Sequence, residues 1–136
     1  MNFLSETVLW ITSSEFVDSK GNISRGQGES EINVSEELIT NNSWVVMGGN
    51  KIENNYSIRK VTDTRYQYSS QNPDLGIQKG FFDINRNYIF SKFRIEGTSL
   101  NGYEVIERKY DICYANGALY DGNELINTWT AEMRKQ

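Results

Sequence analysis

The sequence predicts an all-β fold, an antiparallel up-and-down β-barrel of about nine or ten strands, with a β-sandwich as the alternative. Short runs rich in β-branched and aromatic residues alternate with a two-residue period, the spacing of a sheet with two unlike faces. Each run is closed by Gly, Asn or Asp turn chemistry. So many strands in 136 residues leave no room for long helices. Open strand edges invite aggregation, so consecutive strands must close on themselves or stack. The longest separator is about eight residues, which suits neighbouring hairpins better than the crossing connections of a sandwich.

The first run, Thr7 to Val17, ends at Ser19-Lys20-Gly21-Asn22. The second, Ile23 to Val34, sets Arg25, Gln27, Glu29, Glu31 and Asn33 on one face against Gly26, Gly28, Ser30, Ile32 and Val34 on the other. A break at Ser35-Glu36-Glu37-Leu38 has room for a helical turn before Trp44 to Met47 and the turn Gly48-Gly49-Asn50-Lys51. Further strands are read at Tyr56 to Val61, Arg65 to Tyr68, Ile77 to Ile84, Tyr88 to Ile95, Tyr103 to Tyr114, Ala118 to Tyr120 and Leu125 to Met133. Asn116-Gly117 has the residues of a type I′ hairpin turn, because both tolerate positive φ. Pro73, the only proline, falls in a separator. No repeat or linker divides the chain, so one domain over residues 1–136 is expected.

Charge and missing residue types narrow the function. The formal charge is −4, and no run of Lys or Arg is longer than two residues, so neither nucleic-acid phosphates nor anionic lipid is an expected partner. There is no histidine, which removes the usual general base and the commonest metal ligand. With one cysteine besides, no metal or other cofactor is expected. Cys113 cannot form an intramolecular bridge and reads as an inert packed or partly exposed thiol. The first residues, Met1 to Glu6, lack the basic start and apolar core of a secretory signal, and no apolar stretch is long enough for a membrane helix. A cytoplasmic protein without membrane insertion is expected, and a homo-oligomer is compatible with the sequence.

Candidate binding residues lie on the run Tyr103 to Tyr114. One face reads Glu104, Ile106, Arg108, Tyr110, Ile112 and Tyr114, so Arg108 interrupts an apolar and aromatic row. If that row faces inward, the guanidinium needs a carboxylate or an anionic ligand, since an unpaired buried charge is costly. Tyr66 with Tyr68, Tyr88 with Phe90, and Tyr56 beside Ile58 form further alternating rows that fill a core or line a cavity. Trp44 and Trp129 read as core anchors, while flanking Leu9 and Ile11 leave the face of Trp10 open.

In length, meander layout and the triplet Arg108-Lys109-Tyr110, the chain resembles the calycin superfamily of lipocalins and fatty-acid-binding proteins. The resemblance implies a barrel holding a small apolar or amphipathic molecule, with Arg108 and Tyr110 orienting an anionic group and Tyr66 and Tyr68 on the wall. In that superfamily the Arg-x-Tyr pair lies on the final strand, whereas here another hairpin follows. The helical lid and the lipocalin Gly-x-Trp signature are missing. The alternatives are an interaction module whose barrel is filled by side chains and, third, an enzyme using carboxylates such as Glu104 or Asp111.

Overall fold

The computed structural model describes residues 1–136 and contains no helix. Its ten strands are β1 (Val8–Asp18), β2 (Ile23–Val34), β3 (Ile39–Met47), β4 (Asn50–Lys60), β5 (Arg65–Asn72), β6 (Gly76–Asn85), β7 (Tyr88–Ile95), β8 (Leu100–Lys109), β9 (Ile112–Asp121) and β10 (Glu124–Lys135). Each pairs antiparallel with the next, and β10 returns to β1, closing an up-and-down barrel. Closure runs from Trp10 opposite Lys135 to Asp18 opposite Asn127. It satisfies the backbone groups that an open edge would present.

The predicted alternation of β2 holds: Gly26, Gly28, Ser30 and Ile32 are buried, whereas Arg25, Gln27, Glu29 and Glu31 point out or lie at the surface. Val34, at the strand end, is exposed. β3 starts at Ile39, well before Trp44, and the preceding segment is a bend rather than a helical turn, held by Ser35 Oγ donating to the Leu38 carbonyl at 2.7 Å. On β3 the inward positions are Ile39, Asn41, Ser43, Val45 and Met47. Trp44 therefore faces outward, with the Lys51 ammonium 5.2 Å from its ring, and is not a core anchor. Tyr88 and Phe90 also stack on the outer surface rather than in the core.

The run Tyr103 to Tyr114 is two strands. Tyr110 takes a left-handed backbone, φ 57°, and the chain reverses through Tyr110 and Asp111. No Gly, Asn or Pro marks this turn, so side-chain periodicity alone runs straight through it. The reversal changes the phase of the pattern. Glu104, Ile106 and Arg108 point inward on β8, and Cys113, Ala115 and Gly117 point inward on β9. Tyr110 and Tyr114 are outside. Asn116-Gly117 accordingly lies within β9, paired with Val105 and Glu104 on one side and Thr130 and Trp129 on the other, and makes no hairpin turn.

The alternation of connections puts the β2–β3, β4–β5, β6–β7 and β8–β9 turns at one end of the barrel with both termini, and the other five turns at the opposite end. Residues 1–7 fold across the first end. Phe3 and Leu4 are buried there, with the Phe3 ring 5.8 Å from Trp10, which has no exposed surface. Ile32, Ile39, Ile58, Phe82, Ile89, Ile106 and Met133 complete this packed layer. Burial of each such side chain stabilises the fold by roughly 1.5–3 kcal/mol, so the plugged end carries much of the hydrophobic stabilisation.

Candidate functional site

The rest of the interior is not filled. A cavity of about 360 Å³ extends from Phe3 and Leu4 towards the end opposite the plug, where exposed Leu75 of the β5–β6 turn lines it. Its wall is mainly apolar, with polar side chains from several strands. Among the lining residues Glu104 is the only acidic or basic side chain of the Asp, Glu, Lys and Arg types.

Three aromatic side chains of the wall lie across inward-facing glycines of neighbouring strands. Tyr68 lies over Gly80, where a Cβ would meet its hydroxyl at 2.8 Å, and Phe93 lies over Gly102, where a Cβ would meet the ring at 2.6 Å. Trp129 of β10 lies over Gly117 of β9 and reaches Glu104 of β8, the residue paired with Gly117 on its other side. Trp129 Nε1 donates to Glu104 Oε2 at 2.7 Å. A side chain at Gly117 would fill the space the indole crosses, so the small residue is what lets a donor on one strand reach a carboxylate two strands away.

Burial raises the Glu104 pKa, opposed by the Trp129 hydrogen bond, which favours the ionised form. Tyr56 is pushed well above the usual phenol range, first by burial and then by the Glu104 charge. Tyr68 is pushed up to about 12 by burial, although Ser91 and Gln78 hydrogen bonds oppose the shift. Its hydroxyl lies 3.0 Å from Ser91 Oγ and receives Gln78 Nε2 at 3.3 Å. Asn72 Nδ2 donates to Asn54 Oδ1 at 3.0 Å. Three other lining atoms, Thr12 Oγ1, Asn41 Oδ1 and Asn127 Oδ1, have no hydrogen-bond partner within the protein.

The predicted site residues are not brought together. Tyr68 lines the cavity, whereas Tyr66 packs against the plugged-end core and does not line it. Arg108 is inward and 5% exposed, but at the plugged end. Its Nη2 donates to Glu6 Oε1 at 2.6 Å, Nε to the Tyr110 carbonyl at 2.7 Å and Nη1 to the Asn2 carbonyl at 3.2 Å. The guanidinium carbon lies 5.1 Å from the centre of the Trp10 ring. This geometry is a clasp holding the N-terminal segment against the β8–β9 turn. The same contacts lower the Glu6 pKa, the Arg108 hydrogen bond first and that of Lys135 second. The Tyr110 side chain is 93% exposed in that turn. Asp111 is exposed in the same turn while Glu104 faces inward, so these carboxylates do not share a site.

Local pattern puts Glu104 on one strand face and Trp129 among core anchors but joins neither to the other, and it does not set residues 1–7 across the barrel end. Phe3-Leu4 before the first strand was a legible signal for the plug. The pair had none, because its two members are 25 residues apart and meet only across a third strand.

The fold and interior define a class: closed ten-stranded antiparallel up-and-down barrels with an internal cavity, an architecture that can bind ligands. No family model matches the sequence, and no curated protein matches it significantly. Among solved structures the chain is similar to Rv2717c from M. tuberculosis, with a TM-score of 0.72 over 96% of this chain and 92% of that one, at 11% sequence identity. That likeness is one of fold.

Proposed function

We propose that the chain is a calycin-like binding protein that holds one small amphipathic molecule inside its barrel without transforming it. The cavity carries this reading: about 360 Å³, mostly apolar, with a few polar groups on its wall. Those are the features of a small-molecule site, which typically spans roughly 300–1,000 Å³. A filled barrel acting only through its outer face would not need that space. The absence of histidine and the separation of Glu104 from Asp111 favour binding over acid–base catalysis. The polar end of the ligand belongs beside Glu104 and Tyr68, while Arg108 is engaged by Glu6 at the plug.

Native mass spectrometry of gently purified protein, compared with the denatured mass, tests the reading directly. A retained small molecule is the expected result. Titration with the apolar dye N-phenyl-1-naphthylamine is the companion assay, with saturable binding at one site per chain expected. Ala131→Trp, which places a large ring on the cavity wall, should abolish that binding without unfolding the barrel. Absence of both a retained mass and saturable dye uptake would refute the reading.

A further inference from the structure

We propose that the cavity selects a ligand carrying a protonated amine on an apolar body, with Glu104 as the residue that meets the ammonium group. The inference deepens the cavity-binding reading and rests on it. Glu104 has one hydrogen bond inside the protein, from Trp129 to Oε2, leaving Oε1 with no protein donor. No Lys or Arg lines the cavity. The residues paired with Glu104 on the adjacent strands are Ser91 and Gly117, which bring no charge.

A carboxylate enclosed without a cation is costly, and a bound ammonium offsets part of that cost. An anionic headgroup would add to it. Other features of the wall favour the same ligand. Thr12 and Asn41, each 7% exposed, present oxygens without a protein partner. An ammonium brings three N–H donors and no acceptor, which suits the unpartnered amide oxygens of Asn41 and Asn127, while the Thr12 hydroxyl can accept or donate. Trp129 also has Phe16 and Phe93 beside it, with ring centres 6.2 and 6.4 Å away, and Tyr56 lies 5.5 Å from Tyr68. Aromatic faces around a carboxylate attract an organic cation and bury its apolar body.

The preference should depend on pH. Tyr56 and Tyr68 also line the cavity and stay neutral until far above pH 8, so Glu104 is the one lining acid whose charge can change below that pH. Amine binding should strengthen as pH rises through the elevated Glu104 pKa and then level off, while binding of a neutral analogue stays flat.

Isothermal titration of the intact protein with octylamine, octan-1-ol and sodium octanoate, three probes of equal chain length, tests the inference. At pH 7.5 octylamine should bind at least about tenfold more tightly than octan-1-ol, as expected for a charge-assisted contact in a dry site. Octanoate should bind most weakly. Glu104→Gln should erase the amine preference, bringing the octylamine and octan-1-ol affinities within about twofold of each other. Should octan-1-ol bind with octylamine no tighter, or octanoate bind best, the ammonium assignment fails while cavity binding stands. Binding by none of the three, together with no N-phenyl-1-naphthylamine uptake, overturns both. The comparison among probes uses the unaltered protein, so it decides the matter even if the variant folds poorly.

Discussion

Gly117→Ala would test the arrangement that builds the cavity wall. In β9 an added methyl would ordinarily be welcome, since glycine costs a strand roughly 0.5–1 kcal/mol relative to alanine. Here the new Cβ would collide with the six-membered ring of Trp129 and stand 2.7 Å from the Tyr103 carbonyl oxygen. The carbonyl belongs to the β8–β9 ladder and cannot easily retreat, so the indole must lift. Overpacking of this kind costs about 1–3 kcal/mol, and loss of a hydrogen bond to a charged group about 1.5–3 kcal/mol. The two losses overlap because one movement causes both, so a net destabilisation of about 2–4 kcal/mol is expected. For a chain of this length that is a fall in melting temperature of roughly 7–14 °C. Calorimetry or circular dichroism would measure it, with Trp129→Val and the double variant closing a thermodynamic cycle. In the Trp129→Val background Gly117→Ala should cost far less, because the ring is gone. A fall under about 3 °C in the single variant, or simple additivity in the cycle, would refute the seating of Trp129 over Gly117.

Other consequences can be measured by similar means. Glu104 has a folded-state pKa above its unfolded value, so the folded protein binds more protons between the two and loses stability as pH rises through that window. Glu104→Gln should therefore melt a few degrees higher than the parent at pH 7.5 and no higher below pH 4, where the parent carboxyl is protonated; thermal melts across pH would check this. Arg108→Met should destabilise the protein by roughly 2–4 kcal/mol through loss of charged hydrogen bonds to the Tyr110 and Asn2 carbonyls, yet leave dye affinity nearly unchanged. Denaturant titration with N-phenyl-1-naphthylamine binding would separate the two effects. Phe3→Ala, at the boundary between plug and cavity, should cost about 3–5 kcal/mol and speed dye release, measured by stopped-flow dilution. Cys113, buried and with its thiol pushed up to about 12, chiefly by burial, should resist a thiol reagent in the native state and react at the rate of opening when denaturant is added.

How much could be read beforehand depended on the range of the interaction involved. The inward face of β2 was legible because alternation is local, and the reversals at Lys20-Gly21 and Gly48-Gly49 were legible because glycine supplies positive φ, at 85°, 55° and 81°. The reversal at Tyr110 was not, since it uses a residue without turn preference, and missing it carried the face assignment of Tyr110 and Tyr114 to the wrong side. Trp44 was misassigned because a large apolar ring reads as core, although β3 turns it outward to lie beside Lys51. Among the proposed wall residues Tyr68 was named from its alternation with Tyr66, and the cavity received it but not its neighbour.

The sequence by itself determined an all-β chain of successive strands, with turns dense enough to force an up-and-down arrangement and no histidine to support the commonest acid–base chemistry. Those properties follow from residue type and from spacing within a few positions. Only the tertiary structure decided that Arg108 grips Glu6 across 102 positions and that Trp129 reaches Glu104 over Gly117. Closing the barrel fixes which strands stand two apart and which end the N-terminal segment covers, and no local preference encodes either distance.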